Sequence, residues 1–234
     1  KEKTMLTRDP LNSQNDAILN YIENEDDDYV ENYEEISQTF NPKVSLETQA
    51  ILNCCELLID NYAPPEERVL ADIGCGAGFV INPLQAKEKV AVDISMNQLV
   101  RVDDTTTRIR ANVEDLPLES DYFNIIICTD IFEHVQNEDL LVNEITRILK
   151  PGGLLLFACP WKQDLSVYDL PEYKAKFKQY KYVHLRSIDE TTIEEQFAAN
   201  FDKMSETFIT VAMDSMLFMP YGIKFFQFIK KAVE

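Results

Sequence analysis

The chain has 234 residues, 45% hydrophobic and 27% charged, which suits one α/β domain carrying an insertion. Its 41 acidic against 22 basic residues give a formal charge of −19. That balance argues against DNA or RNA as partner, since nucleic-acid binding requires protein cations to release counterions, and only the lysine-bearing stretch 174–186 departs from it.

Nothing approaches eighteen uninterrupted apolar residues, and Lys1-Glu2-Lys3-Thr4 holds no hydrophobic signal core, so a cytoplasmic location without a membrane span is expected. Cysteines at 54, 55, 75, 128 and 159 form no C-x-x-C pair and no disulfide framework. They read as small core residues in a reducing compartment, and no metal is expected.

Residues 1–22 are polar and say little. Residues 23–35 hold eight acids in thirteen positions, which suits a solvated face, although such a run can also attract a cationic partner. Asn41-Pro42 reads as a helix start, and a helix over about Ser45 to Tyr62 carries Leu46, Ala50, Cys54, Leu57 and Leu58 at helical spacing, interrupted by Asn53. Pro64-Pro65 ends it. Residues 1–62 are therefore expected to form an N-terminal helical cap on a core of residues 63–234.

The core begins with Val69-Leu70-Ala71-Asp72-Ile73-Gly74-Cys75-Gly76-Ala77-Gly78, an apolar strand with an acid near its end and three glycines on alternate positions. Glycines so spaced let backbone pass close to a ligand. A second apolar run, Lys89-Val90-Ala91-Val92-Asp93, ends in an acid fifteen residues after the last glycine. Strands follow at Arg108–Ala111, Asn124–Thr129 and Leu154–Cys159, the last after a helix over Asp139–Leu149 with Leu140, Leu141, Ile145, Ile148 and Leu149 on one side. Lys150-Pro151-Gly152-Gly153 stops that helix. Residues 161–186 form an aromatic, lysine-bearing insertion, the pattern of a lid. Thr192 and Glu195 offer a capping box for a helix to about Asn200, and a sixth strand spans Thr207–Met213. The tail from Met216 to Phe228 does not read clearly as a strand. It suits a pocket wall or core packing, a homodimer contact, or a helix touching a membrane.

Dinucleotide sites space their glycines one and then two residues apart, a pattern absent here. The order Asp72, Gly74, Gly76, Gly78, Asp93 instead resembles the S-adenosyl-L-methionine (SAM) site of class I methyltransferases. So do Asn112-Val113-Glu114-Asp115-Leu116-Pro117, Glu133-His134-Val135 and Leu149-Lys150-Pro151-Gly152-Gly153, the loop 133–135 being that of the quinone and sugar methyltransferase branch. The resemblance implies a Rossmann-like, doubly wound, mostly parallel seven-stranded sheet. It implies SAM as cofactor, left as S-adenosyl-L-homocysteine, beside the glycine turn and Asp72, with Asp93 on the ribose hydroxyls. Ile94 and Met96 would line the adenine pocket, Asn112 and Val113 would bond its ring, and Tyr33 and Thr129 would border the cofactor. The acceptor, a small molecule methylated at oxygen or nitrogen, would meet Glu133, Trp161, Tyr168, Tyr182 and Arg186.

His134 and His184 are the two histidines and both fall on the acceptor side, where either can act as general base. The alternatives are a helix-start histidine bonded to backbone for His134, lid structure for His184, and a surface salt bridge for Arg186. A nicotinamide-dependent oxidoreductase and a non-catalytic, methyltransferase-like partner subunit are the rival functions.

Overall fold

A computed structural model of the chain describes residues 4–14, 17–24, 27–39, 45–169, 171, 184–210 and 222–232. The N-terminal part contributes β1 (Asn12–Gln14), β2 (Ile18–Asn20), α1 (Asp28–Thr39) and α2 (Leu46–Tyr62). The central part contributes β3 (Val69–Ile73), β4 (Glu88–Asp93), α3 (Met96–Leu99), β5 (Thr107–Arg110), β6 (Phe123–Thr129) and α4 (Glu138–Ile148). Then come β7 (Leu149–Trp161), α5 (Glu190–Phe197), β8 (Phe201–Thr210) and β9 (Gly222–Lys230).

The apolar runs of β3, β4, β6 and β7 have no polar face because helices cover both sides of the sheet. Leu70, Val90, Ile125, Ile126 and Leu155 are all fully buried. The sheet order is β1-β2-β5-β4-β3-β6-β7-β9-β8. Strands β2 and β5, β5 and β4, β4 and β3, β3 and β6, and β6 and β7 pair parallel, whereas β9 runs antiparallel to both β7 and β8. β3 lies between β4 and β6, so successive connections leave it in opposite directions and open a crevice at its carboxyl end.

The described sheet has nine strands where seven were expected. Two of them, β1 and β2, come from the segment expected to be helical and add a hairpin to the β5 edge. The tail resolves the reading left open above: residues 222–230 are a strand in the sheet, with Ile223 and Phe225 packed on one face and Phe226 and Phe228 on the other. β8 begins at Phe201, six residues ahead of the expected Thr207, because Phe201 already pairs with Lys230.

Two helix details depart from the sequence pattern. α2 is capped by Ser45, whose Oγ accepts from the Thr48 N–H, while Asn41 and Pro42 lie outside the described residues. Its buried stripe is Ile51, Leu52, Cys55 and Ile59, with Leu46 and Leu57 88% and 64% exposed. That is one residue, or about 100°, round the helix from the expected stripe. Adjacent apolar residues such as Ala50-Ile51 and Leu58-Ile59 support either face, and Ile51 and Ile59 take the interior. α5 is capped by Asp189, whose Oδ1 accepts from the Thr192 N–H, in place of the Thr192–Glu195 box. The helix stops at Phe197, where a turn closes by the Asn200 N–H donating to the Phe197 carbonyl.

Candidate functional site

The turn after β3 holds three glycines at positive φ, of which Gly74 and Gly76 border the crevice. Gly74 sits at φ +77°, and a Cβ there would lie 2.7 Å from Ile131 Cγ1. Gly76, at φ +52°, has open space where a Cβ would be and donates its N–H to Asp93 Oδ2 at 2.8 Å. The other oxygen of Asp93 accepts from the Ser95 N–H at 2.9 Å, so one carboxylate at the end of β4 ties together two neighbouring turns. Burial raises the Asp93 pKa to about 6, and the Ser95 and Gly76 N–H donors limit that rise. Gly74→Ala combines a left-handed backbone with the Ile131 contact, and should cost about 1–3 kcal/mol of stability in chemical denaturation.

α1 closes over this corner. The Glu34 carboxylate accepts from Ser95 Oγ at 2.9 Å and the Asn97 N–H at 3.2 Å, and pairs with Arg110 Nη2 at 3.0 Å. The Tyr29 hydroxyl donates to the His134 carbonyl at 3.3 Å, and the Tyr33 ring meets those of Tyr29 and His134 edge-on at 4.9 and 5.9 Å. Sequence reasoning did not single out Glu34 or Tyr29. The available signal was the i, i+4 spacing of Tyr29 and Tyr33 and the acid beside it, in a run read as a solvated face.

Between these walls lies a cavity of about 140 Å³, lined by Tyr29, Tyr33, Gly74, Gly76, Asp93, Ile94, Asn112, Val113, Asp130 and His134, among others. A wider one of about 470 Å³ adjoins it, sharing Gly74, Gly76, Gln98, Asp130 and His134 and reaching Glu47, Thr129, Glu133, Pro160 and His184. The structure thus brings Tyr33, Gly74, Gly76, Asp93, Ile94, Asn112 and Val113 around one space, with Thr129 in the next. Asn112 Oδ1 accepts from the Glu114 N–H and keeps a second lone pair. Gly78 lies in the turn behind, its carbonyl accepting from the Asn82 N–H, and Met96 packs on the α2-side core. Asp72 lies beneath the floor, 2% exposed, with its pKa raised to about 8 by burial and secondarily by Asp93.

On the far side the His134 and His184 rings meet edge-on at 4.7 Å. Burial, and after it His134, lowers the His184 pKa to about 3, leaving a neutral imidazole whose Nδ1 bonds Gln163 Oε1. Glu133 is 1% exposed with Oε1 3.8 Å from His134 Nε2, and burial next to Asp130 pushes its carboxyl well up. Arg186 faces the loop instead of the cavity: its guanidinium donates to the carbonyls of Phe132 and Val135 and pairs with Glu138 at 2.9 Å. Trp161 lines a separate cavity with Ile193 and Phe197, its ring under Lys224 Nζ at 4.2 Å. β7 carries it past the crevice to that side. Tyr182 lies outside the described residues, and of Tyr168 only the backbone, in the turn Leu165–Asp169, is described.

The family description "Methyltransferase domain" matches residues 71–157. An uncharacterised protein of Methanocaldococcus jannaschii is 30% identical over 128 residues, 55% of this chain and 54% of that protein. The ubiquinone biosynthesis O-methyltransferase of Paracidovorax citrulli is 30% identical over 111 residues, 43% of this chain and 47% of that one. The chain spans about half the length of these relatives. Among solved structures, YcgJ from Bacillus subtilis superposes with a TM-score of 0.60 at 18% identity, over 79% of this chain and all of that one, which establishes the shared fold.

Proposed function

We propose, for a chain that belongs to the class I SAM-dependent methyltransferases, that it moves the cofactor's methyl group to an oxygen or nitrogen of a small-molecule acceptor. The observation that carries this reading is the pairing of Gly76, bare towards the cavity, with the Asp93 carboxylate beside it. Each Asp93 oxygen accepts one backbone N–H and keeps lone pairs for a ribose hydroxyl. Asp130 and Glu133 line the crevice and Asp72 lies beneath it, and their ionised forms suit a ligand bearing positive charge. SAM supplies an already electrophilic methyl on a sulfonium.

The chain's own contribution is alignment and exclusion of water. In this reading α1 closes the cofactor side through Glu34, and Glu133, His134 and His184 line the acceptor side. The acceptor enters by the wider cavity, towards His134 and His184. The name of the Paracidovorax citrulli relative supports oxygen as the accepting atom. The five cysteines are free, and we place the enzyme in a reducing compartment such as the cytoplasm.

Calorimetric titration with SAM and, separately, with NAD tests the cofactor. Labelled SAM incubated with fractionated metabolites then identifies the acceptor. His134→Ala and His184→Ala should keep SAM affinity and lower turnover by about 10²-fold if either acts as general base. Unaltered turnover in both would leave alignment as the whole of the catalysis.

A further inference from the structure

We propose that Glu133, His134 and His184 together bind one divalent first-row transition-metal ion, of the zinc or manganese kind. One ligand atom from each lies within 4.8 Å of the others. Bonds of about 2.0–2.2 Å to a shared ion need only small side-chain rotations from that spacing. The sequence hides the cluster, because His184 stands fifty residues after His134. The Leu185 N–H donates to the Glu133 carbonyl at 2.8 Å and holds His184 against the loop after β6.

The second observation is Glu133 itself. It is 1% exposed and neither carboxylate oxygen has a hydrogen-bond partner. A buried carboxylate without donors is costly, and buried polar groups are otherwise almost always satisfied. Arg186 does not neutralise it by contact, since its guanidinium is taken by backbone carbonyls and Glu138. Asp130 Oδ1 is a third carboxylate oxygen that is buried and has no hydrogen-bond partner, in the wall of the same cavity. A cation there satisfies several of these groups at once. Two imidazoles with a carboxylate favour zinc, manganese or iron over magnesium and calcium, which prefer all-oxygen sites. Gln163 holds the His184 ring through Nδ1, the outer contact that typically orients a metal-binding imidazole.

Binding of the ion stands apart from the methyl-transfer reading; its use, polarising an acceptor oxygen, rests on that reading. The test uses the full chain, dialysed against chelator and titrated with Zn²⁺ and Mn²⁺ by calorimetry and with Co²⁺ by visible absorption. One equivalent should bind, and the cobalt form should show d–d bands without a thiolate charge-transfer band. Because the chain has two histidines only, imidazole ligation reports on this site. His184→Ala, His134→Ala and Glu133→Gln should each weaken binding by at least about tenfold. Thermal melting identifies any variant that fails to fold, in which case the remaining two decide. Absence of stoichiometric uptake by the wild-type protein, or equal affinity in folded variants, overturns the proposal. SAM titrated in chelator separates the two ideas: metal uptake without SAM binding sinks methyl transfer and leaves the metal site standing.

Discussion

Asp93→Ala should weaken SAM binding by about a hundredfold or more in calorimetric titration, the loss expected for two charge-assisted hydrogen bonds worth roughly 1.5–3 kcal/mol each. The substitution also frees the Gly76 and Ser95 N–H groups that Asp93 now holds at 2.8 and 2.9 Å. Asp93→Asn separates these effects, because the amide oxygen still accepts while the charge is gone. The pH dependence gives an independent check. Burial lifts the Asp93 pKa to about 6, so the ionised, accepting form is lost as pH falls through that value. Wild-type affinity should therefore tighten between about pH 5 and 7, and the Asn variant should show a flatter profile. Equal affinity in wild type and Asp93→Ala would remove the cofactor assignment.

Asp72→Asn should stabilise the cofactor-free protein at high pH. Asp72 is 2% exposed, and burial, then Asp93, raises its pKa from 3.8 to about 8. The unfolded chain gives up this proton near pH 4 whereas the folded chain keeps it to about pH 8. The wild type therefore loses stability as pH climbs through that window, relative to a neutral amide. The gap should open by about 1.4 kcal/mol per pH unit and level off near 6 kcal/mol above pH 8. Denaturant melts of both proteins at pH 5, 7 and 9 measure it, and parallel curves would show that Asp72 carries no such penalty. A cofactor with a positive sulfur should narrow the gap, because it favours the ionised acid. An acid held at such a cost beneath a ligand crevice is the pattern of a functional group, not a stabilising one.

What the sequence made legible was local. The glycine turn and Asp93 are set by neighbours within about two dozen residues, and the strands from Val69 to Cys159 announce themselves by unbroken apolar runs. Features joined by distant segments were not legible. His134 and His184 were each recognisable, but nothing in their spacing says that the rings touch. Glu34 looked like one more acid in an acidic run until α1 laid it across the start of α3. The strand β9 was masked because both its faces are covered. Its Phe225 and Phe226 point to opposite cores, and Lys224 and Lys230 occupy largely buried positions, the first over Trp161 and the second paired with Asp121. That pattern has no period of two.

The place of β9 between β7 and β8 also sets when this half of the sheet can form. On the ribosome, residues 201–210 emerge before the strand that pairs with them, since among the described residues the ladder partners of β8 lie in residues 222–230. Until then the flank of β7 is a bare edge, the kind of surface that recruits other nascent chains. The sheet is thus closed from the inside, by a strand synthesised after the one it must hold outside it.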